Sequence, residues 1–152
     1  MCLFYSNESK SELIGYADEG YLFDLHKARS QTGYLYTYGD TKIFWLPMKQ
    51  TLEATSSNHA EIIAIHEASR ECVWLRSMTH HIQKMCGFSL KKNIPTTMYE
   101  DNAACIAQLK GGYIKGDRTK HISPKFFFTH DLQQNGDIEI QQSVQVIILL
   151  IY

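Results

Sequence analysis

The chain has 152 residues, of which 44% are hydrophobic, and its formal net charge is −1. This length and apolar content fit one domain with a buried core and exclude a disordered tail. Because the net charge is close to zero, any binding of nucleic acid must depend on a local basic patch. The four cysteines are scattered without a C-x-x-C pair, which predicts free thiols in a reducing compartment.

Neither end of the chain predicts a membrane segment. Met1–Tyr5 is too short an apolar run for a signal peptide. Val144–Tyr152 is apolar but far below the roughly 20 residues that a membrane helix needs. We therefore expect a protein that does not span a membrane.

The first third of the chain predicts a three-stranded meander after a flexible lead over residues 1–11. Leu13–Ala17 is read as a short strand and Tyr21–Gln31 as a loop. Thr32–Tyr38 is aromatic and β-branched, which favours a strand, and Lys42–Leu46 is read as the returning strand.

The end of the third strand carries an unusual composition. Pro47–Gln50 is read as a connection, and the apolar stretch Phe44–Met48 is expected to disturb the strand end. The domain itself is expected to cover residues 12–142, with 143–152 as an aberrant apolar tail.

The remainder predicts alternating helices and strands. Ser56–Asn58 offers N-cap residues for a long helix. Gly87 and Gly112 are helix-stop signals. The predicted elements are a helix to about Met85, a strand Thr96–Tyr99, helices Ala103–Leu109 and Ile122–Gln134, and a strand Asp137–Gln142. The order β, β, β, α, β, α, α, β predicts an α/β fold with a mixed central sheet flanked by helices.

Three carboxylates stand out by position, and Glu61 is the first of them. Its neighbours at helical spacing are apolar and form a stripe: Ile65, Ala68, Cys72 and Leu75. Glu61 therefore heads the face that should pack on the sheet, where a carboxylate is costly unless it is paired or binds a metal. The alternative is that Glu61 complements the helix dipole in the first turn.

Asp18 and Asp101 each follow a predicted strand, and each has an ordinary structural alternative. Asp18 precedes Glu-Gly and could belong to a turn, while Asp101 or Asn102 could cap the next helix. Two strands of one sheet and a helix packed on it could bring these acids and Glu61 to one end. Clustered carboxylates repel one another, so such a group is typical of a magnesium site.

Five ordered sequence blocks give a family resemblance that covers roughly Leu13 to Gln142. The blocks are Tyr16-Ala17-Asp18 with Ser30-Gln31-Thr32-Gly33-Tyr34, Lys49-Gln50, Ser56-Ser57 with Ala60-Glu61, Glu100-Asp101-Asn102 with Ala104, and Arg118-Thr119-Lys120-His121-Ile122. Together they resemble the ribonuclease H domain of copia-type LTR retrotransposon polyproteins.

The resemblance implies a ribonuclease H-like fold and cleavage of RNA in RNA–DNA hybrids. It implies two Mg²⁺ ions, or Mn²⁺, held by Asp18, Glu61 and Asp101 as catalytic metal ligands. The hybrid would be recognised by backbone shape and 2′-hydroxyls. It further implies a reverse transcriptase domain upstream in the same polyprotein, a monomeric domain, and a cytoplasmic location in virus-like particles, or a nuclear one.

The chain departs from this family after its last predicted strand. The family has a fourth carboxylate in a segment like Ser-Ser-Asp-Asn-Leu-Ala-Asp, whereas residues 143–152 contain no acid. One allowed coding of that stretch yields the family segment when a single base is inserted after the Gln142 codon. We therefore expect a frameshift or truncation and an impaired enzyme. The alternative is a catalytically inactive relic that serves as a nucleic-acid-binding or interaction module.

Basic and polar residues near the predicted carboxylate ends are candidates for contacts with the nucleic acid. A solvated surface role is the alternative for each of them. His121 could orient substrate or carry a proton, and a structural role at a helix start is equally open. The candidates for binding, most of them in predicted loops, are Lys27, Arg29, Lys49, Gln50, Asn102, Lys115, Arg118 and Lys120.

Overall fold

The computed structural model describes residues 12–24, 29–39, 41–49, 56–88, 94–114 and 120–143. The elements follow the predicted order. They are β1 (Leu13–Asp24), β2 (Arg29–Tyr38), β3 (Thr41–Lys49), α1 (Ser57–Met85), β4 (Thr96–Glu100), α2 (Ala103–Gly111), α3 (Ser123–Gln134) and β5 (Ile138–Gln142).

The five strands form one mixed sheet in the order β3-β2-β1-β4-β5. β1 pairs antiparallel with β2, and β2 pairs antiparallel with β3. β4 runs parallel to β1 on its other side, and β5 runs parallel to β4. The carboxyl ends of these three parallel strands therefore point toward the same edge of the sheet, and the mixed sheet with its helices confirms the predicted fold class.

The meander strands are longer than predicted. Tyr21–Asp24 belongs to β1 and Arg29–Gln31 to β2, so the loop prediction for Tyr21–Gln31 was wrong apart from residues 25–28, which lie outside the described ranges. The segment was read as a loop because the local sequence pattern did not show that it continues two paired strands.

The third strand also runs further than expected. β3 continues through Pro47 to Lys49, so the expected connection and the expected disturbance after Phe44 were both wrong. In the described sheet β3 has β2 as its neighbour on one side only, and such an edge tolerates proline. Phe44 stacks on Tyr34 with ring centroids 6.2 Å apart.

The main core lies between the sheet and helix α1. The predicted stripe on α1 is buried as expected, with Ile65, Ala68 and Cys72 fully inaccessible. Arg76 fixes this helix to the sheet by donating to the carbonyl of Ile94 at 2.8 Å and to the Thr96 hydroxyl at 2.9 Å. These contacts hold the start of β4 against the middle of α1.

The opposite face of the sheet carries a smaller apolar cluster. Leu35 is fully buried there and packs with Tyr16 and Tyr99, whose rings stack with centroids 5.3 Å apart. Among the described residues, Cys72, Cys86 and Cys105 are free thiols, as predicted. Within the described ranges, none of the helices combines the length and apolar character that a membrane crossing requires.

Candidate metal centre

Glu61 lies on the sheet-facing side of α1, near its start. The Ser56 side chain caps this helix by accepting a hydrogen bond from the backbone N–H of His59 at 3.2 Å. The helix begins at Ser57 and its first turn contains no acid. Glu61 is therefore in the second turn, and the dipole interpretation, which assumed the first turn, was wrong. Its side chain is 7% exposed, because the stripe that it heads packs on β1 and β2.

Asp18 lies within β1 rather than after it. It pairs with Gly33 of β2, and the strand continues for six more residues to Asp24. The turn interpretation of Asp18 was therefore wrong. Asp18 is 5% exposed, so the chain holds this carboxylate inside the sheet against the cost of desolvation.

Asp101 follows β4 directly, and Asn102 is the cap of the next helix. The Asn102 side-chain oxygen accepts hydrogen bonds from the backbone N–H groups of Ala104 and Cys105, both at 3.0 Å. Because Asn102 caps α2, the capping alternative for Asp101 was wrong. Asp101 is exposed, so its carboxylate borders solvent at the carboxyl edge of the sheet.

The three acids meet in space as the sequence suggested. One carboxylate oxygen from each of Asp18, Glu61 and Asp101 lies within 4.8 Å of the other two. An octahedral magnesium ion bound at about 2.1 Å places its ligand oxygens about 3 to 4.2 Å apart. Small side-chain rotations would therefore bring these hard oxygen donors onto one divalent ion, and the exposed Asp101 leaves one side of the group open to solvent.

Glu100 is a fourth acid at this centre, and sequence reasoning missed its role. It is fully buried, and its Oε1 accepts a hydrogen bond from the backbone N–H of Asn102 at 3.2 Å. Burial raises the pKa of Glu100 to about 8, and the nearby Asp101 and Asp18 charges add to the rise. The alternation of Thr96, Met98 and Glu100 along β4 could have indicated that this acid faces the core.

Two histidines, His59 and His121, interact with each other near the start of α1. His121 is exposed. Burial of the His59 ring, and then its electrostatic interaction with His121, lower the pKa of His59. His59 is the third residue of α1, two residues before Glu61. Sequence reasoning selected His121 and missed His59, whose place in the first turn of α1 is the signal that could have found it.

The predicted nucleic-acid contacts are only partly within the described residues. Arg29 and Lys49 lie at strand ends of β2 and β3, so their placement in loops was wrong. Lys120 is exposed beside His121, and Asn102 is the helix cap. The other candidates lie outside the described ranges: Lys27, Gln50, Lys115 and Arg118.

Solved structures with this architecture are ribonucleases H. The chain superimposes on RNase H1 of Halobacterium salinarum with a TM-score of 0.54 and 16% identity, covering 88% of this chain and 86% of that one. LC11-RNase H1, solved in complex with an RNA/DNA hybrid, gives a TM-score of 0.58 with the same identity and coverage. The N-terminal RNase H domain of a Mycobacterium tuberculosis protein gives 0.57 at 11% identity, over 90% and 84% of the two chains. The protein therefore has the ribonuclease H-like fold.

In sequence, the chain is similar to a retrotransposon polyprotein. Over 91% of its length the chain is 27% identical to the retrovirus-related Pol polyprotein from transposon TNT 1-94 of Nicotiana tabacum, and the match covers 10% of that polyprotein. It is 34% identical over 77 residues to secreted RxLR effector protein 161 of Plasmopara viticola, which covers 51% of this chain and 54% of the effector. No family model matches the chain. The protein thus resembles a Pol segment with a ribonuclease H-like fold, as expected from its sequence blocks, and it spans only part of these curated relatives.

Proposed function

We propose that this domain hydrolyses the RNA strand of RNA–DNA hybrids, as a ribonuclease H-type domain of a retrotransposon polyprotein. The observation that carries the proposal is the group formed by Asp18, Glu61 and Asp101, whose carboxylate oxygens lie within 4.8 Å of one another at one edge of a ribonuclease H-like sheet. The similarity to a Pol polyprotein supports the same assignment.

The three acids would hold the metal. Two ions, Mg²⁺ or Mn²⁺, supply activation of a water and stabilisation of the leaving oxygen when bound at such a site. Asp18 and Glu61 are fixed from within the fold, since one is in β1 and the other in α1. Asp101 completes the group from the solvent side. His121, exposed near His59, is the side chain available to carry a proton away from the product.

Recognition of the hybrid would depend on the polar and basic residues around this edge. Backbone phosphates are met by lysine and arginine side chains, and RNA is distinguished from DNA by its 2′-hydroxyls. LC11-RNase H1 was solved with an RNA/DNA hybrid, which supports a hybrid as the ligand. The proposed contacts are Lys27, Arg29, Lys49, Gln50, Asn102, Arg118 and Lys120.

The polyprotein context also belongs to the proposal. An upstream reverse transcriptase domain would generate the hybrid that this domain cleaves. We propose a monomeric domain, active in the cytoplasm within virus-like particles or in the nucleus. The lack of an acid in residues 143–152 leads us to expect a lower turnover than a four-carboxylate site would give.

Cleavage of a 5′-labelled RNA–DNA hybrid by the purified chain tests the proposal. We expect cleavage with Mg²⁺ or Mn²⁺, loss with EDTA, and at least a hundredfold lower rate for Asp101→Asn. Asp131→Asn removes an exposed acid from α3 and is the matched control, which should cleave like the parent chain. Single-stranded RNA and double-stranded DNA of the same sequence should remain intact.

The outcome separates the enzyme from an inactive relic. A folded protein that cleaves nothing with either ion would contradict the proposed activity. If that protein still shifted the hybrid in a gel, with weaker binding at higher salt, it would be a nucleic-acid-binding relic. Equal cleavage by the parent chain and Asp101→Asn would place the activity outside this carboxylate group.

A further inference from the structure

Glu100 is a buried acid that the three-carboxylate site leaves without a role. It is the last residue of β4, and the strand alternates so that Thr96, Met98 and Glu100 are buried while Thr97 and Tyr99 are partly exposed. Glu100 is fully inaccessible to solvent. A carboxyl group in this position carries a desolvation cost, so its partners indicate what it does.

The Glu100 carboxyl is anchored on one side and meets Glu61 on the other. Its Oε1 accepts the backbone N–H of Asn102 at 3.2 Å, which ties it to the start of α2. The carboxyl also lies at hydrogen-bonding distance from that of Glu61. Its Oε2 is buried, and no N–H or hydroxyl donor within the described ranges reaches it. Two acid groups in such contact avoid repulsion by sharing a proton.

Glu100 is not placed as a ligand of the same ion. Among the described residues, the acids whose oxygens all approach within 4.8 Å are Asp18, Glu61 and Asp101, and Glu100 is outside that group. Its carboxyl group contacts that of Glu61, while its Oε1 is bound to Asn102 at the start of α2.

We propose that Glu100 is a positioning residue that holds the Glu61 carboxylate in the orientation required for binding a divalent ion. The inference rests on the proposed function, since it assigns to Glu61 the role of a metal ligand. It goes beyond that function because Glu100 supplies no ligand itself. Removing groups that orient a metal ligand typically lowers metal affinity 10- to 100-fold.

Two substitutions of similar length separate orientation from packing. Glu100→Met keeps an unbranched side chain of similar length but cannot donate to Glu61 or accept from Asn102. Glu100→Gln can do both, because its amide N–H₂ donates and its carbonyl oxygen accepts. The exposed Glu139 on neighbouring β5, changed to Met and to Gln, provides the matched control pair. Calorimetric titration with Mg²⁺ and Mn²⁺ gives the Kd, and circular dichroism gives the Tm without metal.

We expect Glu100→Met to weaken metal binding at least tenfold, and Glu100→Gln to recover most of that affinity. An unchanged Kd in Glu100→Met would overturn the inference. So would a Glu100→Gln variant as weak as Glu61→Gln, since Glu100 would then act as a charged ligand. If Glu100→Met does not fold, the Glu100→Gln comparison still decides between these roles. Absence of binding by the parent chain would instead contradict the metal site itself, and therefore the proposed function.

Discussion

Two acids, Glu67 in α1 and Glu100 at the end of β4, have opposite electrostatic surroundings. Glu67 accepts a hydrogen bond from Lys125 of α3 at 2.6 Å and one from Arg70 at 3.2 Å. Burial alone would raise its pKa, but these cations outweigh burial and the pKa is lowered. Glu100 meets the carboxyl of Glu61 instead, and its pKa is raised to about 8.

The difference separates an acid that stabilises packing within the protein from an acid in a site that favours binding of a cation. A carboxylate that the chain itself pairs with cations stabilises packing, here between α1 and α3. A buried acid that faces other acids destabilises the protein until a proton or an external cation arrives. The carboxylate centre therefore has the electrostatics of a cation-binding site. The Glu67 cluster (Glu67, Arg70 and Lys125) is a set of ion pairs that holds α1 against α3.

The largest expected effect on stability comes from removing the Glu67 charge from the Glu67 cluster. Glu67→Gln leaves the Lys125 ammonium, which is 23% exposed, without its anion. A hydrogen bond to a charged group contributes about 1.5–3 kcal/mol, so we expect a loss of about 2 kcal/mol in the free energy of unfolding. Urea denaturation measures it, with exposed Asp131→Asn as control. A loss no greater than the control's would mean that Lys125 finds adequate solvation without Glu67.

The second largest effect is a loss of stability at low pH caused by His66. This residue lies beside the Glu67 cluster and packs edge-on against Phe128. Burial, with the Lys125 charge, lowers the pKa of His66 to about 4, below the usual value near 6.5. As pH falls from 6.5 to 4 the unfolded chain binds a proton that the folded chain resists, so stability falls over that window. Allowing for partial exposure, the loss is about 1–2 kcal/mol.

Thermal unfolding between pH 7.5 and 4.0 checks this, and His66→Gln should flatten the profile. Exposed His80→Gln should leave it unchanged. A His66→Gln profile as steep as that of the parent chain would assign the acid sensitivity to other groups.

The smallest expected effect is an increase in stability, caused by the substitution Glu61→Gln. Glu61→Gln replaces one of two contacting acids with an amide that can donate to Glu100. Without metal at pH 8, near the raised pKa of Glu100, the proton between the two acids is partly lost and their carboxylates repel each other. Removing the Glu61 charge should therefore raise stability by about 1 kcal/mol. The same substitution should abolish stabilisation by Mg²⁺, which for the parent chain follows the ratio of ion concentration to Kd. If Glu61→Gln without metal were less stable than the parent chain, the Glu61 carboxylate would stabilise the fold as Glu67 does, and the contrast between the two sites would be wrong.

The sequence allowed the fold and the three acids to be predicted for different reasons. The stripe from Ile65 to Leu75 fixed which face of α1 is buried, and therefore where Glu61 would point. Asp18 and Asp101 could be selected because each follows apolar residues, although Asp18 proved to lie within its strand. Ordered sequence blocks added the expectation of a ribonuclease H-like fold, which local patterns alone would not have specified.

Other features depended on tertiary contacts that no local pattern carries. Tyr21–Asp24 and Arg29–Gln31 were read as a loop because the local pattern did not show that these segments continue β1 and β2. Glu100 resembled one of several polar choices at a helix start, and its importance came from meeting Glu61, 39 positions earlier in the numbering. The pairing of Glu67 with Lys125 likewise required the docking of α3 on α1.

The parallel pairing of β1 with β4 also has a kinetic consequence. The meander β1–β2–β3 closes between neighbours in the chain, whereas Ile14 must find Thr97 and Tyr16 must find Tyr99 across a long loop. Such distant contacts form slowly, because the entropy of closing the loop is lost before the contacts can repay it. Asp101 reaches Asp18 only when this pairing is complete. We therefore expect refolding to produce a collapsed species with native-like helix content before it can take up a divalent ion, and stopped-flow fluorescence with Tb³⁺ would separate the two events.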